Sequence, residues 1–206
     1  MSPDGKRVLF GAHGDLELWD IATGKRLQEL RVHRLPIYKT LISADGRVGV
    51  SAAAYSIRLW DLDSGECRLK IFINDLQPLC MSPVDDLLVA SLRGRSWTPP
   101  NPHVPVESTS DADWRGRDQP GIRMWNSAGE CVREFETGLD VTCAEFSPDG
   151  RFIFAGAGNG KITVWGAMDG ELLQTLEGRQ QSVTDIRFTL DGRCALSGDK
   201  DGTLRL

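Results

Sequence analysis

The chain is poor in the features that most often announce a chemistry. Its three histidines, His13, His33 and His103, lie far apart and at no metal-ligand spacing. The five cysteines, Cys67, Cys80, Cys131, Cys143 and Cys194, are odd in number and include no CxxC pair. Most stand in apolar, strand-like runs, so buried structural thiols are the expectation. No Gly-x-Ser-x-Gly nucleophile elbow occurs. No apolar run approaches the roughly 18 residues of a membrane span. The opening segment Met1-Ser2-Pro3-Asp4-Gly5-Lys6 has no apolar signal core, so cytoplasmic residence is expected. With 24 basic against 29 acidic residues, a net charge of −5 and no block of one sign, the basic footprint of a nucleic-acid binder is missing. Helical periodicity is absent throughout.

One Gly-rich segment, Gly156-Ala157-Gly158-Asn159-Gly160-Lys161, superficially suggests a phosphate loop. The first glycine of that pattern would fall on Ala155, and Ile162 stands where Ser or Thr is required. The segment also joins two strands and precedes no helix, so no helix N-terminus faces an anion. It reads as a strand-to-strand turn.

What the chain does have is a period. The runs Leu16-Glu17-Leu18-Trp19, Ile57-Arg58-Leu59-Trp60, Ile122-Arg123-Met124-Trp125 and Ile162-Thr163-Val164-Trp165 place tryptophans at 19, 60, 125 and 165, that is 41, 65 and 40 residues apart. The long interval is one period plus an insertion of about 24 residues, and a fixed period of this size means stacked copies of one supersecondary unit. Upstream lies an Asp-Gly turn (Asp4-Gly5, Asp45-Gly46, Asp149-Gly150, Asp191-Gly192). Downstream a second turn carries Gly24, Gly65, Gly129 or Gly170. Asp-Gly between alternating apolar runs signals a hairpin. Each copy is therefore four strands, a to d. In one copy these are Val141–Ser147, Arg151–Ala157, Lys161–Trp165 and Glu171–Leu176; in another they are Ile37–Ser43, Arg47–Ala53, Ser56–Asp61 and Glu66–Phe72.

A four-stranded meander cannot bury both faces alone. Stacking copies about an axis does so, which is the β-propeller solution. Trp19-Asp20 and Trp60-Asp61, the weaker Trp125-Asn126 and Trp165-Gly166, the Ser-Pro-Asp-Gly turns at 2–5 and 147–150, and the closing Asp201-Gly202-Thr203-Leu204-Arg205-Leu206 resemble the WD-repeat (WD40) family over nearly the whole chain. The Ser-Pro-Asp-Gly and Thr23-Gly24 turns are most similar to bacterial members. The fold expected is all-β, a WD40-type propeller forming an incomplete arc of about four to five four-stranded blades. Blade 1 (1–31) supplies strands b to d, blade 2 spans 33–72, and blade 3 spans 76–137 with an insertion at 94–119. Blade 4 covers 140–177 and a partial blade 5 covers 181–206. Closing the two partial blades into one would use strands b and c twice. The expectation is thus a portion of a longer propeller, with missing blades or self-association covering its open ends.

The resemblance also implies site residues. Family blades carry a buried network of His, Ser or Thr, Asp and the strand-c Trp. Here His33, Ser51 and Trp60 fit three slots, but Ala54 takes the Asp slot. Ser197 and Asp201 fit in the last repeat, where Arg179 replaces His, and Asn159 stands for Asp in the fourth. No blade has all four, so apolar packing is expected to carry more of the load. Trp19, Trp60, Trp125, Trp165, His33, Ser51 and Asp201 read as structural, as do Arg58, Arg123 and Arg205 in one repeated slot. In the family the b–c and d–a connections share the partner-binding face. That implies a protein-binding rim of Arg34, Tyr38, Asp140, Arg179, Gln180 and Lys200, extended by Arg95, Trp97, Trp114 and Arg115 in the proline-rich insertion. The insertion reads equally as a decoration whose tryptophans pack back on the blade. No catalytic residue, cofactor or metal is expected. The leading function is a non-catalytic protein-interaction scaffold within a larger WD-repeat protein, binding other proteins or other domains of its own polypeptide, as a recognition or regulatory arm of a signalling protein. The competing class is the propeller of an enzyme, a prolyl-peptidase gate or a quinoprotein, with catalysis outside this chain.

Overall fold

The computed structural model describes residues 1–2, 4–12, 14–31, 36–53, 56–72, 76–92, 120–177, 181–189 and 191–206. Among them are eighteen strands and no helix, arranged as five antiparallel sheets in which every strand pairs with its neighbours in sequence. The first sheet is β1 (Arg7–Ala12), β2 (Asp15–Asp20) and β3 (Arg26–Arg31). The second is β4 (Lys39–Ile42), β5 (Val48–Ala53), β6 (Ser56–Asp61) and β7 (Cys67–Phe72). The third is β8 (Leu76–Met81), β9 (Leu88–Leu92), β10 (Gly121–Trp125) and β11 (Cys131–Phe135). The fourth is β12 (Val141–Phe146), β13 (Phe152–Ala157), β14 (Ile162–Gly166) and β15 (Leu172–Leu176). The fifth is β16 (Val183–Phe188), β17 (Ala195–Asp199) and β18 (Leu204–Arg205). Each sheet is one antiparallel meander; three have four strands and two have three.

Local chemistry explains each blade. The a–b turn is a hydrogen-bonded lock. Ser43 Oγ donates to Asp45 Oδ1 at 2.7 Å and accepts the Val48 amide at 2.9 Å, while Asp45 also accepts the Arg47 amide at 2.9 Å. The same three bonds recur at Ser2–Asp4, Ser147–Asp149 and Thr189–Asp191. Gly46 closes the turn at φ 73°, a left-handed value that a side chain resists. The c–d turn explains why aspartate follows tryptophan. Asp61 accepts the amides of Asp63 and Ser64 at 2.9 and 2.8 Å and pairs with Arg68. Asp20 accepts the amide and the hydroxyl of Thr23 at 2.7 and 2.6 Å. In the fourth blade Gly166 cannot cap, and Asp169 accepts the Glu171 amide at 3.0 Å instead.

The chain divides into two compact units, one built on Met1–Pro78, the other on Cys131–Leu206 with Leu79–Gly94 and Gln119–Asn126. In the first, Leu9, Leu16, Leu18 and Leu30 of blade 1 form one core with Ile37, Trp60 and Leu62 of blade 2. In the second, Val89, Ile122, Met124 and Phe135 of blade 3 pack on Val141, Ile153 and Trp165 of blade 4. The Phe135 and Trp165 rings meet edge to face at 5.8 Å. Blade 4 then packs Ile162 and Phe154 on Val183 and Ile186 of blade 5. Strand b lies inside its sheet, and β5 is buried at all six positions and is built of small residues. A Cβ at Gly49 would lie 2.7 Å from Leu62 Cδ2.

Polar contacts fasten the same seams. Thr40 Oγ1 donates to Leu9 O at 3.0 Å and Arg7 pairs with Asp63 at 3.3 Å in the first unit. Arg133 donates to the Asp169 and Met168 carbonyls, and Arg187 pairs with Glu145 at 2.7 Å, in the second.

Candidate protein-binding rim

In the described parts of blades 2, 4 and 5 the approach to strand a lies beside the end of strand b. Their backbones are tied together. Gly158 N donates to Asp140 O in blade 4, and Lys200 N donates to Ser182 O in blade 5, both at 2.9 Å. In blade 2, Tyr38 N donates to Ala52 O at 2.9 Å. The b–c turns are capped by equivalent side chains: Asn159 Oδ1 accepts the Lys161 amide at 3.1 Å, and Asp201 Oδ1 accepts the Thr203 amide at 2.9 Å. Asp199 Oδ1 also accepts the Thr203 amide, and its hydrogen bond with Asp201, together with the contacts of Asp201 to Thr203, holds the Asp201 carboxyl down at about 2. The blade 5 turn, capped twice, holds its own part of the rim backbone fixed.

On that frame the described rim side chains are open to solvent. Tyr38 is 52% exposed, with its phenol pKa pushed up by the burial of the remainder. Asp140 and Lys200 are exposed at the matching ends of blades 4 and 5. They bring opposite charges to neighbouring blades of one unit. Lys161, in the blade 4 turn, reaches Glu177 at 2.6 Å. Arg34, Arg95, Trp97, Trp114, Arg115, Arg179, Gln180 and His33 lie outside the described residues.

The strand-c tryptophans show how each blade meets one need by different means. Trp60 Nε1 donates to Ser51 Oγ at 2.8 Å, both residues being buried. Trp19 and Trp165 turn instead to the residue two positions back in their own strand, Glu17 Oε2 and Thr163 Oγ1, each at 2.9 Å. Strand alternation places those two residues on the face of the tryptophan. Sequence reading missed Glu17 and Thr163; a hydrogen-bonding residue two before the tryptophan was the available signal. Trp125 is buried in blade 3. The Arg123 guanidinium, buried in its blade, pairs through Nε with Glu134 directly across the strand at 3.1 Å. Arg58, in the same slot, has Nε and Nη1 buried with no partner among the described residues, and burial draws its pKa down.

Among the described residues no three His, Cys, Asp or Glu side chains group as a metal site, and no helix is long and apolar enough to cross a membrane. Cys143 is buried and its thiol is pushed up to about 11, by desolvation first and by the Asp185 charge next.

The fold and these turns define the class: an all-β chain of repeated antiparallel blades. Residues 129–166 and 170–206 each match the model of the WD domain, G-beta repeat, so that part of the chain carries WD40 repeats. It is 33% identical over 81 residues to the Periodic tryptophan protein 2 homolog of Caenorhabditis elegans, covering 39% of this chain and 9% of that protein. It is 28% identical over 215 residues to Eukaryotic translation initiation factor 3 subunit I of Lodderomyces elongisporus, covering 91% and 57%. Against the Serine-threonine kinase receptor-associated protein of Mus musculus it is 26% identical over 180 residues, covering 87% and 44%. The chain therefore spans between 9% and 57% of the length of these relatives. Among solved structures it is similar in fold to the computationally designed Ika8 protein, with a TM-score of 0.71 at 24% identity, covering 97% of this chain and 54% of that one.

Proposed function

We propose that this chain is a non-catalytic protein-interaction module, a portion of a larger WD-repeat protein with bacterial-type turns, working in the cytoplasm. Its partners are other proteins, or other domains of the same polypeptide, bound at the strand-a and b–c end of the blades. Arg95, Trp97, Trp114 and Arg115 of residues 94–119, with Arg34, Arg179 and Gln180, are proposed as further partner-binding residues. The observation that carries this reading is a fixed backbone under exposed side chains: Tyr38, Asp140 and Lys200 are held by main-chain hydrogen bonds while their side chains face solvent. Residues of this kind need little further ordering on binding, which favours affinity. The relatives give the same direction, since one is named as a subunit of a translation factor and another as receptor-associated. The spans of 9% to 57% support a larger parent.

The test is capture of binding partners by the wild type and by a Tyr38→Ala, Asp140→Lys, Lys200→Glu variant, alongside a chain lacking residues 94–119. A control changes Lys6, which is exposed at the opposite end of blade 1, to Glu. Loss of the same partner from the rim variant and not from the control supports the rim. Equal recovery from all four proteins overturns it.

A further inference from the structure

One slot of strand c lies two residues before the tryptophan and on the same face of the sheet: Glu17, Arg58, Arg123 and Thr163 in blades 1 to 4. Each is paired in register with a strand-d residue, which shares that face: Glu29, Lys70, Glu134 and Thr175. Three of these pairs are balanced. In blade 1 Arg26 bridges both acids, reaching Glu17 at 2.8 Å and Glu29 at 3.0 Å. In blade 3 Arg123, only 6% exposed, pairs through Nε with Glu134 Oε1 at 3.1 Å. In blade 4 both members are uncharged threonines.

Blade 2 keeps the guanidinium and lacks the acid. Lys70 stands where blade 3 has Glu134, so two cations face each other across the strands, an arrangement that costs stability. Arg58 Nε and Nη1 are buried with no acceptor among the described residues. Donors desolvated in this way are expensive to leave unpaired, the more so on a charged group. The Cys67 thiol, opposite Trp60 and electrostatically coupled to both cations, is pushed up by burial. It stays neutral at physiological pH and supplies no counter-charge. Arg58 and Lys70 are each only partly buried, so the pair is open to approach from solvent.

We propose that Arg58 and Lys70 form a binding site for an external carboxylate, which takes the place that Glu134 holds in blade 3. The carboxylate accepts from the Arg58 guanidinium and offsets the Lys70 ammonium, as the internal acid does for Arg123. Charge complementarity selects this class: a cation is repelled, and a neutral amide would leave both charges uncompensated. The site lies on the face of blade 2 whose Trp60 and Leu62 pack on the leucines of blade 1, inside one compact unit. It uses no residue at either end of the chain. Neither residue belongs to the rim, so failure of the rim reading leaves this site standing, and the reverse.

The Arg58 Nε–Hε signal in NMR, assigned by its loss in Arg58→Lys, reports on the site directly. Glutarate, the peptide acetyl-Gly-Glu-Gly-amide and inorganic phosphate are titrated separately against a chloride background of constant ionic strength. The wild type should give a saturable shift with a carboxylate probe. A response to glutarate alone assigns the site to free carboxylic acids, and one to the peptide alone to acidic side chains of a bound protein. A response to both shows that the carboxylate itself is what is recognised. Lys70→Gln should weaken binding by about two- to fivefold, the worth of one partly exposed ion pair. Lys70→Glu supplies the missing acid internally, so it should abolish the response and melt at a higher temperature than Lys70→Gln. If Lys70→Glu fails to fold, the weakening in Lys70→Gln decides. No saturable shift with either carboxylate, a shift with phosphate alone, or an undiminished response in the Lys70 variants would each overturn the proposal.

Discussion

The indole of Trp60 donates to Ser51 Oγ at 2.8 Å, across two neighbouring strands and with both residues buried. A buried donor left without its acceptor costs about 1–3 kcal/mol. Ser51→Ala should therefore lower stability by about that amount, measured by urea denaturation. Trp19 bonds to Glu17 at the partly exposed face of blade 1, where water replaces a lost acceptor, so Glu17→Ala should cost under about 1 kcal/mol. Equal losses in the two variants would contradict the assignment.

The a–b lock makes a similar contrast. Ser43 is fully buried and serves as donor and acceptor at once, whereas Thr189 makes the same bonds in the open. Ser43→Ala should cost about 1–3 kcal/mol and Thr189→Ala under about 1 kcal/mol, read from thermal and chemical melts.

Much of this was legible before any coordinates. Tryptophans in register and Asp-Gly turns fix strand order, since the period and the positive-φ turns leave little freedom, and the strands of blades 2 and 4 begin and end within two residues of the places read for them. Two features were missed. The indole partners differ between blades according to which of two same-face slots holds an acceptor: Ser51 faces Arg58 in blade 2, whereas Glu17 faces Phe10 in blade 1 and Thr163 faces Ala155 in blade 4, and only the first arrangement follows the family pattern. The aspartate after tryptophan acts on the c–d turn, a purely local role that Asp61 shows through its amide contacts.

Acid should unfold the chain through its turn carboxylates. Asp61 is held at about 2 by the Ser64 amide and then by Arg68, and Asp201 lies at about 2, both below the ordinary value of 3.8. Depressed folded-state values mean that the contribution is complete above about pH 4 and is lost as pH falls towards 2. Stability should fall with pH in that window, and Asp61→Asn should flatten the slope. An unchanged slope in that variant would assign the acid sensitivity elsewhere.

Thiol reactivity should follow burial. Cys194 is exposed, whereas Cys80 and Cys143 are buried and the Cys143 thiol lies at about 11. At neutral pH a thiol reagent should modify Cys194 in the native protein, and Cys80 and Cys143 only on unfolding. Mass mapping of the modified sites decides this.

Strand b leaves no room for growth at the blade 4–blade 5 seam. A Cβ at Gly156 would stand 2.7 Å from Val183 Cγ1 and 2.8 Å from Cys143 Sγ. Gly156→Ala should therefore destabilise by about 1–3 kcal/mol despite its higher strand compatibility, as measured by denaturant melts.

The account rests on blades that are sealed by one another, and the edge-to-face contact of Phe135 in blade 3 with Trp165 in blade 4 is its most direct probe. A double-mutant cycle of Phe135→Ala and Trp165→Ala, followed by urea denaturation, should return a coupling of about 0.5–1.5 kcal/mol, with each single change costing about 3–5 kcal/mol. Strictly additive losses would mean that the two rings do not share a seam, and would contradict the stacked-blade architecture.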